Sequence, residues 1–189
     1  VLIDAMFQEA ELMAALRHPN IVQFLAVCLV PPVIVTEWCV RGSLCDVLRL
    51  ARGEVATVTS QLTWLRRLNM AYDTAKGMLY LHSNSPSAVI HRDLKSPNLL
   101  VTADWTVKVA DFNLSRLAEE YNNNSNGEQE QPDGPTQPRW LAPEVMRGKP
   151  FTEASDVFSF AVVLWELLTW KLPWSRGIAS HGGVMNAVL

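Results

Sequence analysis

Apolar residues recur along the chain with two different periods, and the changes between them mark out the elements. From about Asp4 to Leu16, Met6, Ala10, Met13 and Leu16 fall at helical spacing, which predicts an amphipathic helix. Ile21 to Val30 and Val33 to Thr36 are rich in β-branched residues and are separated by Pro31-Pro32, a strand, turn, strand pattern. Gly42-Ser43-Leu44 opens a second helix, through about Arg52, with Ser43 as its N-cap. Gly53 to Ser60 is polar and reads as a surface connection. Leu62 to His82 repeats Leu65, Leu68, Ala71, Ala75, Met78 and Leu79, predicting a long helix that turns these residues to the core, with His82 at its end and not in a ligand set. Leu99 to Val101 and Thr106 to Val109 flank an Asp-Trp turn as a short hairpin.

Ala118 to Pro138 is nearly free of apolar residues and is expected to bury too little surface to order itself. Ordered packing resumes at Trp140 to Glu144. The most apolar stretch, Val157 to Trp170, contains Glu166 and is shorter than the roughly 20 residues of a membrane span, so it is expected as a buried helix closed by Pro173-Trp174. Gly177 to Leu189 carries no signal.

Composition narrows the class. A chain of 189 residues that is 49% hydrophobic has enough apolar surface for a substantial core in one or two lobes. Its 16 basic and 19 acidic residues give a net charge of -3, which supplies no field for nucleic acid or an anionic membrane. Cys28, Cys39 and Cys45 are odd in number and lack paired metal-ligand spacing, which fits free thiols in a reducing compartment. No targeting segment is visible, and the chain opens at Val1 without methionine, so upstream sequence is expected.

The chemistry concentrates between Val89 and Asp111. His91-Arg92-Asp93, Lys95, Asn98 and, thirteen residues later, Asp111 stand between short apolar runs, so carboxylates, an amide and a lysine can converge at strand ends. A phosphoryl group in transfer spreads negative charge over its oxygens, and a catalyst must orient the attacking hydroxyl, hold metal and neutralise that charge. Asp93 can accept the hydroxyl proton, Lys95 can sit on the moving phosphate, and Asn98 with Asp111 offers the hard oxygens that Mg²⁺ prefers.

These residues carry a resemblance. HRDLKSPN, from His91 to Asn98, resembles the catalytic loop of eukaryotic protein kinases, Asp111-Phe112-Asn113 resembles their Asp-Phe-Gly, and Ala142-Pro143-Glu144 matches their Ala-Pro-Glu. The wording is similar to the tyrosine-kinase-like branch, the Raf-like and mixed-lineage group, and Lys95 suits a Ser/Thr kinase. The resemblance implies an α+β, two-lobed, kinase-like fold over a single partial domain, residues 1–189. Its parts would be a remaining small lobe at 1–36, a hinge at 37–41, and a mainly helical large lobe at 42–189, incomplete at its C-terminus.

The resemblance further implies ATP and Mg²⁺ as cofactors, protein Ser/Thr hydroxyls as substrate, an upstream kinase as partner, a place in a signalling cascade and a cytoplasmic location, without nucleic acid or a membrane segment. Asp93, Lys95 and Asn98 would be catalytic, and Asn98 and Asp111 would hold metal. Thr36 would guard the back pocket, the Glu37 carbonyl and Cys39 backbone would bond adenine, and Leu100 would join them around the cofactor. Glu9 would be the glutamate that pairs with a phosphate-anchoring lysine. The first lysine in this chain is Lys76, and no G-x-G-x-x-G occurs, so the chain alone is expected to bind ATP poorly. His91 would be structural, stacking with Met13, Phe24 and Phe112. Arg92 would await a phosphorylated activation loop, with Ser115, Tyr121, Ser125 and Thr136 as acceptors. Glu144 would pair with a later arginine, and Asp156 would anchor the catalytic-loop backbone.

Three positions depart from the pattern: Asn113 for glycine, Gln137 for threonine and Ala161 for glycine. Asn113, Gln137 and the absent phosphate-anchoring lysine favour the alternative of a pseudokinase or scaffold, and the change at Ala161 is mild. The joint presence of Asp93, Lys95, Asn98 and Asp111 favours catalysis, and nothing in the sequence favours a third class, a binding module reusing the fold.

Overall fold

Two antiparallel hairpins and two long helices set the frame of the computed structural model, which describes residues 2–53, 56–112, 115–117, 137–175 and 181–189. Helix α1, Leu2–Ala15, packs against the hairpin of β1, Phe24–Leu29, and β2, Pro32–Thr36. The register runs from Phe24 opposite Thr36 to Leu29 opposite Pro32, with a bulge between Phe24 and Ala26.

The expected first strand was longer, from Ile21. Those first residues belong elsewhere: the Val22 N–H donates to the Val109 carbonyl at 2.9 Å, and the Val109 N–H donates to the Asn20 carbonyl at 2.9 Å. Backbone groups already committed to Val109 are not free to extend β1.

Helix α2, Leu44–Arg52, begins with a reciprocal cap in which Ser43 Oγ accepts from the Asp46 N–H and the Asp46 carboxylate accepts from the Ser43 N–H. Gly42 precedes it at φ 71°, a conformation that glycine adopts without strain. Where a polar connection was expected, Ala56–Gln61 forms a short helix, α3, packed on α2. It holds there because Val58 lies against the core and Thr59 Oγ1 donates to the Ala51 carbonyl at 3.4 Å.

Helix α4, Trp64–His82, is capped by Thr63, but its inward face is not the expected one. Met70, Thr74, Gly77, Met78 and Leu81 are buried, whereas Leu65, Leu68 and Leu79 are 64, 53 and 66% exposed. The helix carries two apolar stripes, and the one containing Gly77 faces in because only it permits close approach. A Cβ at Gly77 would meet the Asn20 carbonyl oxygen at 2.7 Å.

Beyond α4 come β3, Val89–Ile90, a 3₁₀ turn at Ser96–Asn98, then β4, Leu99–Val101, and β5, Val107–Val109. The β4–β5 hairpin expected from sequence is present, pairing Leu99 with Val109 and Val101 with Val107. β6, Arg116–Leu117, pairs antiparallel with β3. Among the described residues the remaining helices are α5, Pro143–Met146, α6, Glu153–Thr169, and α7, His181–Val188, the last in a stretch that carried no sequence signal.

Helix α6 starts at a Thr152/Ser155 capping box and stops at Trp170, which takes the left-handed conformation at φ 57°, before Pro173 is reached. It was expected as a buried helix and is buried on one side only. Ser155, Asp156, Ser159, Val163, Glu166 and Leu167 face inward, while Val157, Trp165 and Leu168 are exposed. Its inner stripe is largely polar because it serves as an anchor for loops. The main core joins α2, α4, β4, β5 and α6 around Leu44, Met70, Leu81, Leu99 and Val163. Among the described residues, no helix is long and apolar enough to cross a membrane.

Candidate active site

The loop between β3 and the 3₁₀ turn is held by one buried carboxylate. Asp156, near the start of α6, accepts the His91 N–H at Oδ2, 2.8 Å, and the Arg92 N–H at Oδ1, 3.0 Å. His82 Nε2 lies 2.9 Å from the same Oδ2. The two backbone bonds hold Arg92 at φ 69°, a left-handed geometry that costs a non-glycine residue free energy and needs such restraint. The Arg92 guanidinium lies 4.7 Å from the centre of the Phe151 ring.

His91 is fully buried, and its bonds define its state. Nδ1 accepts the Asp93 N–H at 3.3 Å, so Nε2 carries the proton and donates it to the Ala110 carbonyl at 3.1 Å. The ring therefore spans the loop and the strand end before Asp111. Its centroid lies 5.5 Å from that of Phe112, itself buried. Met13 and Phe24, the other expected members of this stack, lie in or against the same core.

Asp93 is the centre of the polar cluster. Its Oδ2 accepts Lys95 Nζ at 2.5 Å and Asn98 Nδ2 at 2.9 Å, and Asn98 Nδ2 also donates to the Asp93 carbonyl at 2.9 Å. The 3₁₀ turn makes this local convergence possible by folding Asn98 back over Asp93, with the Asn98 N–H on the Lys95 carbonyl. The β4–β5 hairpin then brings Asp111 alongside, because the Ala110 N–H donates to the Asn98 carbonyl at 2.9 Å. Asp111 has φ 68°. On α1, burial raises the Glu9 pKa and the field of Asp111 raises it further, against a bond from the Phe112 backbone.

The donor set suits a small hard cation. Asn98 uses its amide nitrogen on Asp93, which leaves its oxygen for a metal, and Asp111 adds a carboxylate. No group of three or more His, Cys, Asp or Glu arranged for a metal is found among the described residues. Mg²⁺ typically needs no such cage, since it is held by one or two carboxylates together with substrate phosphates and water.

The segment 37–43 runs beside β4. The Arg41 N–H donates to the Val101 carbonyl at 3.1 Å, and the Val101 N–H to the Gly42 carbonyl at 2.9 Å. Thr36 and Leu100 are half-buried. The Cys39 carbonyl accepts the Gly42 N–H at 3.0 Å, and burial, with Glu37 adding to it, pushes the thiol pKa up. The Glu37 side chain has a role no motif signalled: it accepts Lys108 Nζ at 2.7 Å and the Gln23 N–H at 2.8 Å.

Several expected residues sit differently. Ser115, offered as a phosphate acceptor, is buried and donates to the His91 carbonyl at 3.2 Å, so it braces the loop and is not presented to an enzyme. Glu144 lies half-buried in the first turn of α5. Gln137 is exposed. Asn113, Tyr121, Ser125 and Thr136 lie outside the described residues, as does most of the stretch from Ala118 to Pro138. His82, Lys108 and Glu166 join the site through partners distant in sequence, and no spacing could have found them.

This arrangement of loop, hairpin and anchoring helix has a family counterpart. A family model described as protein tyrosine and serine/threonine kinase matches residues 2–181. The chain belongs to that kinase family. Serine/threonine-protein kinase CTR1 of Arabidopsis thaliana is 47% identical over 92% of this chain, and the probable serine/threonine-protein kinase SIS8 of the same plant is 45% identical over 89%. The probable serine/threonine-protein kinase drkA of Dictyostelium discoideum is 42% identical over 88%. Such relatives place this kinase chain in the Raf-like, tyrosine-kinase-like branch. The chain spans 20, 15 and 24% of the lengths of these three proteins. Membership of the kinase family implies use of ATP and a divalent metal.

Proposed function

We propose that the protein transfers the γ-phosphoryl group of ATP to serine or threonine hydroxyls of protein substrates. The observation that carries this reading is the Asp93 cluster, in which one carboxylate is held by Lys95 and Asn98 at 2.5 and 2.9 Å beside the hairpin that delivers Asp111. Asp93 orients the substrate hydroxyl and accepts its proton. Lys95 lies close enough to Asp93 to reach the phosphoryl oxygens with the same ammonium group and offset their growing charge. Asn98 and Asp111 would hold Mg²⁺, which when bound neutralises phosphate oxygens and fixes their orientation. Thr36, Glu37, Cys39 and Leu100 would receive the adenine along the segment that runs beside β4.

In this reading Glu9 answers to a lysine outside the chain, and Arg92 answers to a phosphate added by an upstream kinase. The three free cysteines fit a reducing compartment such as the cytoplasm, and a place in a signalling cascade goes with the kinase reading alone.

Phosphate transfer from labelled ATP to a generic Ser/Thr substrate tests the proposal, with the full-length protein beside its Asp93→Asn variant. The expected loss in the variant is on the order of 10²–10⁴-fold in kcat, the usual contribution of a positioned base. A wild-type signal no higher than that of the variant, without nucleotide binding, would move the reading to a scaffold.

A further inference from the structure

Residues 37–43 are tied to the β4–β5 hairpin on both sides of Cys39. On one side the Glu37 carboxylate accepts Lys108 Nζ of β5 at 2.7 Å. On the other side Arg41 makes a denser set of contacts. Its N–H donates to the Val101 carbonyl at 3.1 Å, and its guanidinium reaches the turn beyond, where Nε and Nη2 both donate to the Ala103 carbonyl at 3.1 and 2.7 Å. The same guanidinium lies 4.0 Å from the centre of the Trp105 ring. Trp38 and Val40, which alternate with the tied residues, are 84 and 58% exposed and add little to the hold.

Trp105 is an unusual residue for its place. It is buried, its N–H donates to the Thr102 carbonyl at 3.1 Å, and it closes the turn at φ 72°. Short hairpin loops ordinarily place glycine at such a left-handed position, where it carries no strain. A tryptophan there costs free energy, and its ring is put to use: Arg41 stacks on it, and Arg66 of α4 lies 4.6 Å from the same ring centre. The contacts of Arg41 suit a guanidinium and not an ammonium. Only the planar group presents two donors to one carbonyl while stacking on a ring.

We propose that Arg41 is a positioning residue for the nucleotide: it clamps the end of segment 37–43 to the β4–β5 turn, with Trp105 as its platform, and so fixes the Cys39 backbone relative to the hairpin that leads into Asp111. The role rests on the kinase reading above, since that reading places adenine against Glu37 and Cys39. Arg41 acts through the backbone it holds. The Cys39 carbonyl accepts the Gly42 N–H at 3.0 Å, and the Gly42 carbonyl accepts the Val101 N–H at 2.9 Å, so the clamp and the adenine contact share one short run of bonds.

The test uses the full-length protein and MgATP. Arg41→Met removes the clamp, and both KM and the calorimetric Kd for MgATP are expected to rise about 10-fold, while kcat stays within about 2-fold because Asp93 is held elsewhere. Arg41→Lys keeps the charge but loses the forked donation, with a rise of about 5-fold; it carries the test if Arg41→Met does not fold. Arg66→Gln removes a cation from the same ring without touching the segment, and its KM and Kd stay within about 2-fold of wild type.

Amide hydrogen exchange gives a readout independent of nucleotide. Exchange over residues 39–43 is expected to rise about 10-fold in Arg41→Met and to match wild type in Arg66→Gln. A folded Arg41 variant with wild-type Kd for MgATP, or with lowered kcat and unchanged KM, overturns the proposal, as does unchanged exchange over 39–43. If wild type transfers phosphate and its Kd is indifferent to Arg41, the kinase reading stands and the positioning role fails. If wild type transfers none but its Kd for MgATP still depends on Arg41, the kinase reading fails and the positioning role stands.

Discussion

The two main hairpins have similar compositions and opposite surroundings. β1–β2 and β4–β5 are both antiparallel, and both are built largely from Val, Ile and Leu. In β4–β5, Leu99, Val101, Val107 and Val109 are all 0% exposed, whereas in β1–β2 Leu25 and Leu29 are 55 and 53% exposed. The buried hairpin is fastened along its length: Asn20 Nδ2 donates to the Val107 carbonyl at 2.9 Å, the Val107 N–H donates to Asp73 at 3.2 Å, and Arg41 and Gly42 bond Val101. The exposed hairpin packs on α1. Hydrophobic strand composition therefore does not decide burial in this molecule; the neighbours do. The candidate catalytic residues follow the fastened hairpin, as expected where positions must be held to fractions of an ångström.

The largest expected contrast is in stability. Leu99→Ala empties a fully buried position and is expected to cost about 2–5 kcal/mol, while Leu25→Ala on the exposed hairpin stays within about 0.5 kcal/mol. Urea unfolding of the two variants, followed by circular dichroism, measures both. Equal shifts in midpoint would break the comparison.

A second prediction probes how the fastened side tolerates its buried polar groups. Burial raises the Glu166 pKa from its ordinary 4.5 to about 7, against the bonds from Trp140 and Ser96. The folded state then binds this proton more tightly than the unfolded chain. Its contribution is fully present below pH 4.5 and is lost as pH rises through about 7, at most about 3 kcal/mol in all. Stability measured at intervals from pH 4.5 to 8 is expected to fall more in wild type than in Glu166→Gln, which has no such proton. Parallel curves for the two proteins would refute this.

What was legible from sequence was mostly what is local. The Asp93, Lys95 and Asn98 cluster closes within six residues around one 3₁₀ turn, and the Ser43 cap closes within four, so both could be read from the order of residues. The β4–β5 hairpin was legible because its turn is short. The face of α4 was not, because the inward stripe contains Thr74 and Gly77 and so gives a weaker apolar signal than the outward stripe of Leu65, Leu68 and Leu79. Gly77 decided the matter through a contact with Asn20, 57 positions away. The β3–β6 pairing and the bonds of His82 and Glu166 depend on partners that no period connects. Asp156 was identified through the family resemblance, and the geometry supplied its reason, two backbone N–H groups on one carboxylate.

The smallest expected effect lies where the two hairpins meet. Glu37, just past β2, accepts Lys108 Nζ of β5 at 2.7 Å, with side chains 26 and 15% exposed. A half-buried pair is screened only in part and is expected to contribute about 1 kcal/mol, somewhat less at high salt. Glu37 also accepts the Gln23 N–H, a bond that Lys108 does not share. Lys108→Met should therefore cost less than Glu37→Gln alone would suggest from the ion pair, and a double-mutant cycle isolates the coupling. A coupling energy of a few tenths of a kcal/mol to about 1 kcal/mol that shrinks between low and high salt fits a surface tether between two independently packed hairpins. A coupling well above that, insensitive to salt, would mean that the exposed hairpin is held by the buried one and that the contrast between them is smaller than their exposures indicate.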